Sequence, residues 1–406
     1  MERQTFSGAE HYGRAAFTYA GQSNTNRITH KRSRLPGWLS SASDLDYLNP
    51  ASPFFTADRA LFSCGPYLHA TVPSGNFSKR KGVTILGDSG GYQFIGKPSV
   101  WQGDRTRAWV LQWLESATDE AMTLDIPTKA IAPGTPWPDF SAALACTQDS
   151  LRYFDAHRSG MTRFLNVIQG RDRAEALTWY EAVKWFPAGG WALGGSHRKD
   201  FAHVVRLLRQ MHTDGLLGRD RNRVHVLGLA DLESAVALSA IQRGMRRYLD
   251  DDDFLITFDV SSPGLMTASG QCFGHPALSA TSFGMTYWKP PSVVQPGYEQ
   301  ARWPVLSSAV GAHIRMDDLL VGKPGSIAQT AWDGLSYAML VNHNVHSLYA
   351  AIEQANRVME LHPSDAATLA PARVIRAYQA LLGSCTAKNP LSYLRPYIAD
   401  IARMGR

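Results

Sequence analysis

No apolar run in the 406 residues approaches the roughly 18 positions that a bilayer-crossing helix takes, and the start, Met1-Glu2-Arg3-Gln4, lacks the apolar core of a secretory signal. The expectation is a cytoplasmic protein with no membrane partner. Cysteine is scarce. Cys64, Cys146, Cys272 and Cys385 stand far apart and form no CxxC pair, which argues against a disulfide framework or a zinc knuckle and leaves reduced thiols. Gly (34) and Pro (22) are near average usage, and no repeat or low-complexity tract is present, so collagen-like and largely disordered chains are excluded. Neither sign of charge dominates: Lys plus Arg number 41 against 35 Asp plus Glu, a formal net charge of +6 that is compatible with a polyanionic partner.

What is present is a change of pattern near residue 80. Before it lie turn-formers (Pro36, Gly37, Pro50, Pro53) and a basic cluster at His30, Lys31, Arg32 and Arg34, without sustained periodicity. After it come six short apolar runs, at 83–86, 122–124, 164–168, 191–193, 224–227 and 254–258, most of them followed by a helical stretch. Asp172 and Glu175 resemble a capping box that opens a helix with Leu177, Tyr180 and Val183 on one side and a stop at Pro187 and Gly189. Asp231 opens another, carrying Leu232, Ala235, Val236 and Ala240, with an expected end at Gly244. Leu348, Ala351, Ile352, Ala355, Val358 and Met359 form an apolar stripe, and 371–382 reads as a further helix. The acidic run 250–253 reads as a solvated loop.

Buried strands alternating with helices make parallel βα units. Polar residues end nearly every run: Asp88, Asp125, Gln169, Gly194-Gly195, Gly228 and Asp259. A (β/α)8 TIM barrel gathers its site from such strand ends at one mouth, whereas a dinucleotide fold would show GxGxxG after its first strand, and none is there. The expected architecture is α/β, a (β/α)8 TIM barrel over residues 76–362, with an irregular N-terminal extension (1–75) and extra C-terminal helices (363–406).

Two carboxylates projecting into one mouth from different strands, Asp88 and Asp259, would be driven to different proton affinities, one ionised and one protonated. Chemistry at a glycosidic carbon uses such a pair. The polar groups between them suit a guanine-like ring: Asp125 can accept from N1–H and the exocyclic amine, while the Gln169 amide and a glycine N–H can donate to the ring carbonyl. Tyr92 offers a stacking face beside the Asp88-Ser89-Gly90-Gly91 turn.

These segments resemble the tRNA-guanine transglycosylase superfamily, barrel enzymes that exchange guanine for a 7-deazaguanine. The resemblance covers roughly 83–264, with a weaker echo at His343-Asn344. It is carried by DSGGYQ, a strand-end Asp before Pro-Thr, VIQG, ALGG, VLGLADLESAV and TFD, in the family's order. It implies that Asp259 is the nucleophile at C1′ and that Asp88 is the general acid/base. It further implies that Tyr92 and Leu227 sandwich the base, with Gln93 completing the base-binding motif. Asp125, Gln169 and Gly194-Gly195 would read the base edge, and the main chain at Ser196 would lie beside the 7-substituent. No metal and no redox cofactor is needed for this chemistry.

The chain departs from tRNA-acting members of that superfamily at two places. It has no CxCxxC metal motif, only His343 resembling the later ligand, and residues 260–288 hold no Lys or Arg where those members carry an arginine-containing anticodon loop. The departures point to the branch that modifies guanine in DNA. Implied partners are then DNA, with tRNA as the alternative, and a free 7-deazaguanine base such as the 7-cyano form; a homodimer is a further candidate assembly. Lys31, Arg32, Arg34, Lys79, Arg80 and Arg105, with Arg107, Trp101 and Trp109, would supply phosphate contacts and stacking. A noncatalytic accessory subunit and a barrel glycosidase are the competing readings; retention of both acids argues against the first, and the planar-base set against the second.

Overall fold

The computed structural model describes residues 4–6, 13–20, 32–68, 81–229, 231–291, 295–301, 303–321 and 331–404. Its architecture is mixed α/β. Eight parallel strands form a nearly closed barrel flanked by helices, consistent with a (β/α)8 barrel. In chain order the strands are β1 (Ala16–Tyr19), β2 (Arg59–Ser63), β3 (Thr84–Asp88), β4 (Glu120–Met122), β5 (Arg163–Ile168), β6 (Gly190–Leu193), β7 (Arg223–Val226) and β8 (Leu255–Val260). Neighbours around the sheet run from β2 through β3 to β8 and on to β1, and a parallel bridge between Ala20 and Leu61 brings the two ends together.

Five of the six apolar runs coincide with or lead into strands. The run near 122–124 is the least well placed, because it overlaps its strand only at Met122, where β4 ends. The first 75 residues, however, are not an extension: they contribute β1 and β2, two of the eight barrel strands. These strands are four and five residues long and almost wholly buried, so they carry no alternation for a sequence reading to detect.

The lumen is filled by Leu61, Leu86, Met122, Leu165, Val167 and Ala192, a cluster separate from the larger core between sheet and helices. The period-two alternation of the strands separates the two. The helices that follow the barrel strands are α1 (Asp104–Ala117), α2 (Phe140–His157), α3 (Arg173–Val183), α4 (Phe201–Thr213) and α5 (Leu232–Leu249). After the short α6 (Ser262–Ala268) and an antiparallel hairpin, β9 (Cys272–Ser279) with β10 (Ser282–Trp288), comes α7 (Gly334–Glu360). Asp139, Asp172, Asp200, Asp231 and Asp333 cap α2, α3, α4, α5 and α7 by accepting from backbone N–H groups of the first turn. Each such cap is worth on the order of 1 kcal/mol.

Gly244 does not end α5, which runs on to Leu249. A Cβ at Gly244 would lie 2.6 Å from the Leu382 carbonyl oxygen, so the glycine permits close packing against the helix Ala372–Ser384. Arg373 on that helix clamps Glu233 of α5 with two hydrogen bonds of 2.7 and 2.6 Å. Within the acidic run, Asp251 is buried and accepts from the Asp253 N–H at 2.9 Å, so that segment is a tight turn and only partly solvated. Among the described residues no helix is long and apolar enough to cross a membrane.

Candidate functional site: the polar mouth of the barrel

A cavity of about 910 Å³ opens at the C-terminal ends of the strands. Asp88, Tyr92, Gln93, Asp125, Gln169, Gly194, Gly195, Leu227 and Asp259 all line it, so the structure brings both acids and nearly the whole expected base-binding set together. Ser196 is not in the lining. It is exposed, and its N–H donates to the Gly170 carbonyl at 2.9 Å.

Asp88 ends β3, where Gly90 N–H donates to its Oδ1 at 3.2 Å. Burial raises the Asp88 carboxyl above the ordinary carboxylate range; hydrogen bonds from Ser63 and Gly90 oppose this, and the charge of Asp259 adds to it. Asp259 ends β8 and receives two donors on one oxygen: Gly228 N–H at 2.8 Å and the buried His225 Nε2 at 3.2 Å. Gly228 adopts φ +66°, a left-handed conformation that glycine takes without Cβ strain. Among the described residues the second carboxylate oxygen, Oδ2, carries no hydrogen bond, and Asp259 as a whole lines the cavity.

Between the two acids, Gln169 Nε2 donates to Asp125 Oδ2 at 2.8 Å. Burial pushes the Asp125 carboxyl up to about 7, against the Gln169 hydrogen bond and helped by the Asp88 charge. Tyr92 stands 69% exposed at the rim, a free ring face. Leu227 lies with the lumen cluster at the end of β7.

Sequence reading missed several lining residues, three of them with polar or charged side chains of note. Arg198 lines the cavity and donates to the Gly195 carbonyl; burial lowers its proton affinity and the Asp259 charge opposes that. Lys129 and Tyr337 also face the cavity. Arg198 sits three residues beyond the ALGG turn and Tyr337 on a helix nearly eighty residues beyond Asp259, so no strand-end pattern points to them.

The expected phosphate contacts fare differently. Lys31, Lys79 and Arg80 lie outside the described residues. Arg32 is not a free surface cation: its guanidinium is turned inward, bonded to both carboxylate oxygens of Asp333 at 2.6 and 2.7 Å, to the Asp318 carbonyl and to Ser336 Oγ. Arg34 and Arg105 are exposed and away from the cavity lining. Trp101 packs edge-on against Phe94 and Trp137 beneath the Arg107 guanidinium, and so belongs to an aromatic cluster.

His343 Nε2 bonds the Phe273 carbonyl at 2.9 Å, and burial lowers the His343 imidazole to about 4. Cys385 is buried against the Ile241 carbonyl of α5. Among the described residues no group of three or more His, Cys, Asp or Glu side chains comes together as a metal site would require. No protein-family model matches the chain, and no curated protein matches it.

Proposed function

We propose that this protein is a guanine transglycosylase that exchanges guanine in DNA for a 7-deazaguanine base, with the 7-cyano form as the favoured incoming base. One observation carries the reading: the two acids of β3 and β8 line a single cavity, with Asp125, Gln169 and the Gly194-Gly195 turn on the strands between them. The raised proton affinity of Asp88 suits an acid that protonates a leaving base, and the doubly anchored Asp259, whose other oxygen carries no hydrogen bond among the described residues, suits a nucleophile.

The reaction runs as two displacements. Asp259 Oδ2 attacks C1′ and the bond to guanine breaks, its electron pair going to the base, which takes the Asp88 proton. The incoming base gives its proton to Asp88 and attacks C1′ on the vacated face, and the ester bond to Asp259 breaks. Configuration at C1′ is retained. A duplex would hide C1′, so the nucleotide enters unpaired or flipped, and the exposed Tyr92 is placed to stack on it. The cavity lies toward the upper end of the about 300–1,000 Å³ range of small-ligand sites, which leaves room for a nucleotide.

Incubation with labelled guanine and either single-stranded DNA or tRNA tests this reading. Label entering DNA supports it. Label entering tRNA alone moves the activity to the RNA-acting enzymes, and release of sugar from glycosides without base exchange replaces the reading by a glycosidase.

A further inference from the structure

We propose that His225 is a positioning residue for Asp259: with Thr257 it forms a buried relay beneath the mouth that holds the nucleophilic carboxylate with one oxygen anchored and the other free. The proposal rests on the transglycosylase reading and deepens it.

Thr257 of β8 is the register partner of His225 on β7, and both point into the lumen one layer below Leu227 and Asp259. The lumen around them holds the apolar side chains Leu61, Leu86, Met122, Leu165, Val167 and Ala192. His225 is fully buried and Thr257 nearly so, and burying two polar side chains there is costly unless both are hydrogen-bonded. They are bonded, in a chain that leads to the acid. His225 Nδ1 lies 2.8 Å from Thr257 Oγ1, and Nε2 lies 3.2 Å from Asp259 Oδ1.

A carboxylate only accepts, so Nε2 carries the proton and donates to Asp259. Nδ1 then accepts from the Thr257 hydroxyl, which prefers this 2.8 Å contact to the 3.5 Å contact with the Val224 carbonyl. The hydroxyl thus sets the tautomer, and the tautomer sets the carboxylate. Gly228 N–H reaches the same Oδ1, so two fixed donors hold that oxygen, and Oδ2 carries no hydrogen bond among the described residues. When Oδ2 becomes the ester oxygen, Oδ1 becomes its carbonyl oxygen. The same two donors then await the charge that returns as the second base displaces the carboxylate.

The experiment compares wild type with His225→Leu and His225→Gln, using labelled guanine and whichever nucleic acid wild type modifies. His225→Leu is expected to lower kcat about 10- to 100-fold, as misplacement of a reacting group does, with KM for guanine little changed. His225→Gln, which restores an N–H near the Nε2 position, is expected to recover most of kcat. A His225→Leu variant that turns over as wild type does, or a His225→Gln variant as slow as His225→Leu, overturns the proposal. A second readout needs no activity: in protein labelled with 15N-histidine, His225 is expected as the Nε2–H tautomer, with an Nε2 resonance that moves on Asp259→Asn. An Nδ1–H tautomer, or an Nε2 indifferent to that change, overturns the proposal. Absence of base exchange in wild type with the expected resonances would defeat the transglycosylase reading alone.

Discussion

Gln169 Nε2 donates to Asp125 Oδ2 at 2.8 Å and so ties the mouth ends of β4 and β5 through one buried contact. The contact leaves a carboxyl whose proton is held up to about 7 by burial. The folded state therefore binds that proton more tightly than the unfolded chain does, and Asp125 costs stability progressively as pH rises from about 4 to about 7. Asp125→Asn, which still accepts from Gln169, is expected to melt near the wild-type Tm at pH 4 and above it beyond pH 7. Calorimetric scans across that range check the sign. The same variant should bind guanine more weakly, since an amide oxygen accepts fewer hydrogen bonds from a guanine edge than a carboxylate does.

Asp259→Asn and Asp259→Ala are expected to abolish base exchange while leaving nucleic-acid binding within a few-fold of wild type. In wild type, a denaturing gel should catch nucleic acid covalently attached to the chain, and both variants should lose that band. Unchanged turnover in either variant would remove Asp259 from the role of nucleophile.

Gly195 holds φ +69° with its Cα packed against the backbone of Gly170, where a Cβ would strike the Gly170 carbonyl oxygen. Gly195→Ala therefore combines backbone strain with a clash between two strand ends. A loss on the order of 1–3 kcal/mol is expected, read by urea unfolding, together with weaker guanine binding. A variant of wild-type stability would show that the turn can shift without cost.

Arg32 is held inward by Asp333 and does not stand free at the surface. Burial acts to raise the Asp333 carboxyl, but its hydrogen bonds to Arg32 and Ser336 win and hold it below the usual range. That pair stabilises above the unfolded carboxylate pKa and fades as pH falls through the lower folded one. Arg32→Leu leaves the half-buried Asp333 with its cation gone and is expected to cost about 1–3 kcal/mol at neutral pH. The difference from wild type should narrow in acid. Nucleic-acid affinity of the folded variant should match wild type; a loss of affinity without a loss of stability would return Arg32 to the surface role.

Six strands were readable because apolar runs stop at polar or glycine residues, and that punctuation also located Asp88, Asp125, Gln169 and Asp259. The Asp231 start of α5 was readable from its cap, but its end was not: whether Gly244 breaks a helix or lets another pack on it depends on Leu382, remote in sequence. Arg32 and Arg198 look alike as basic residues. One is buried against Asp333 and the other lines the cavity beside Asp259, a difference made by contacts from distant segments.

The amino-acid sequence alone determined the strand-end chemistry and the βα alternation, because periodicity and capping act over a few neighbouring residues. Tertiary structure decided that 16–19 and 59–63 complete the barrel, since a short strand gains its hydrogen bonds only from the edges already waiting for it. It also decided that His225 stands under Asp259. The pairing of β7 with β8 brings together two residues 34 positions apart, and local composition carries no trace of that contact.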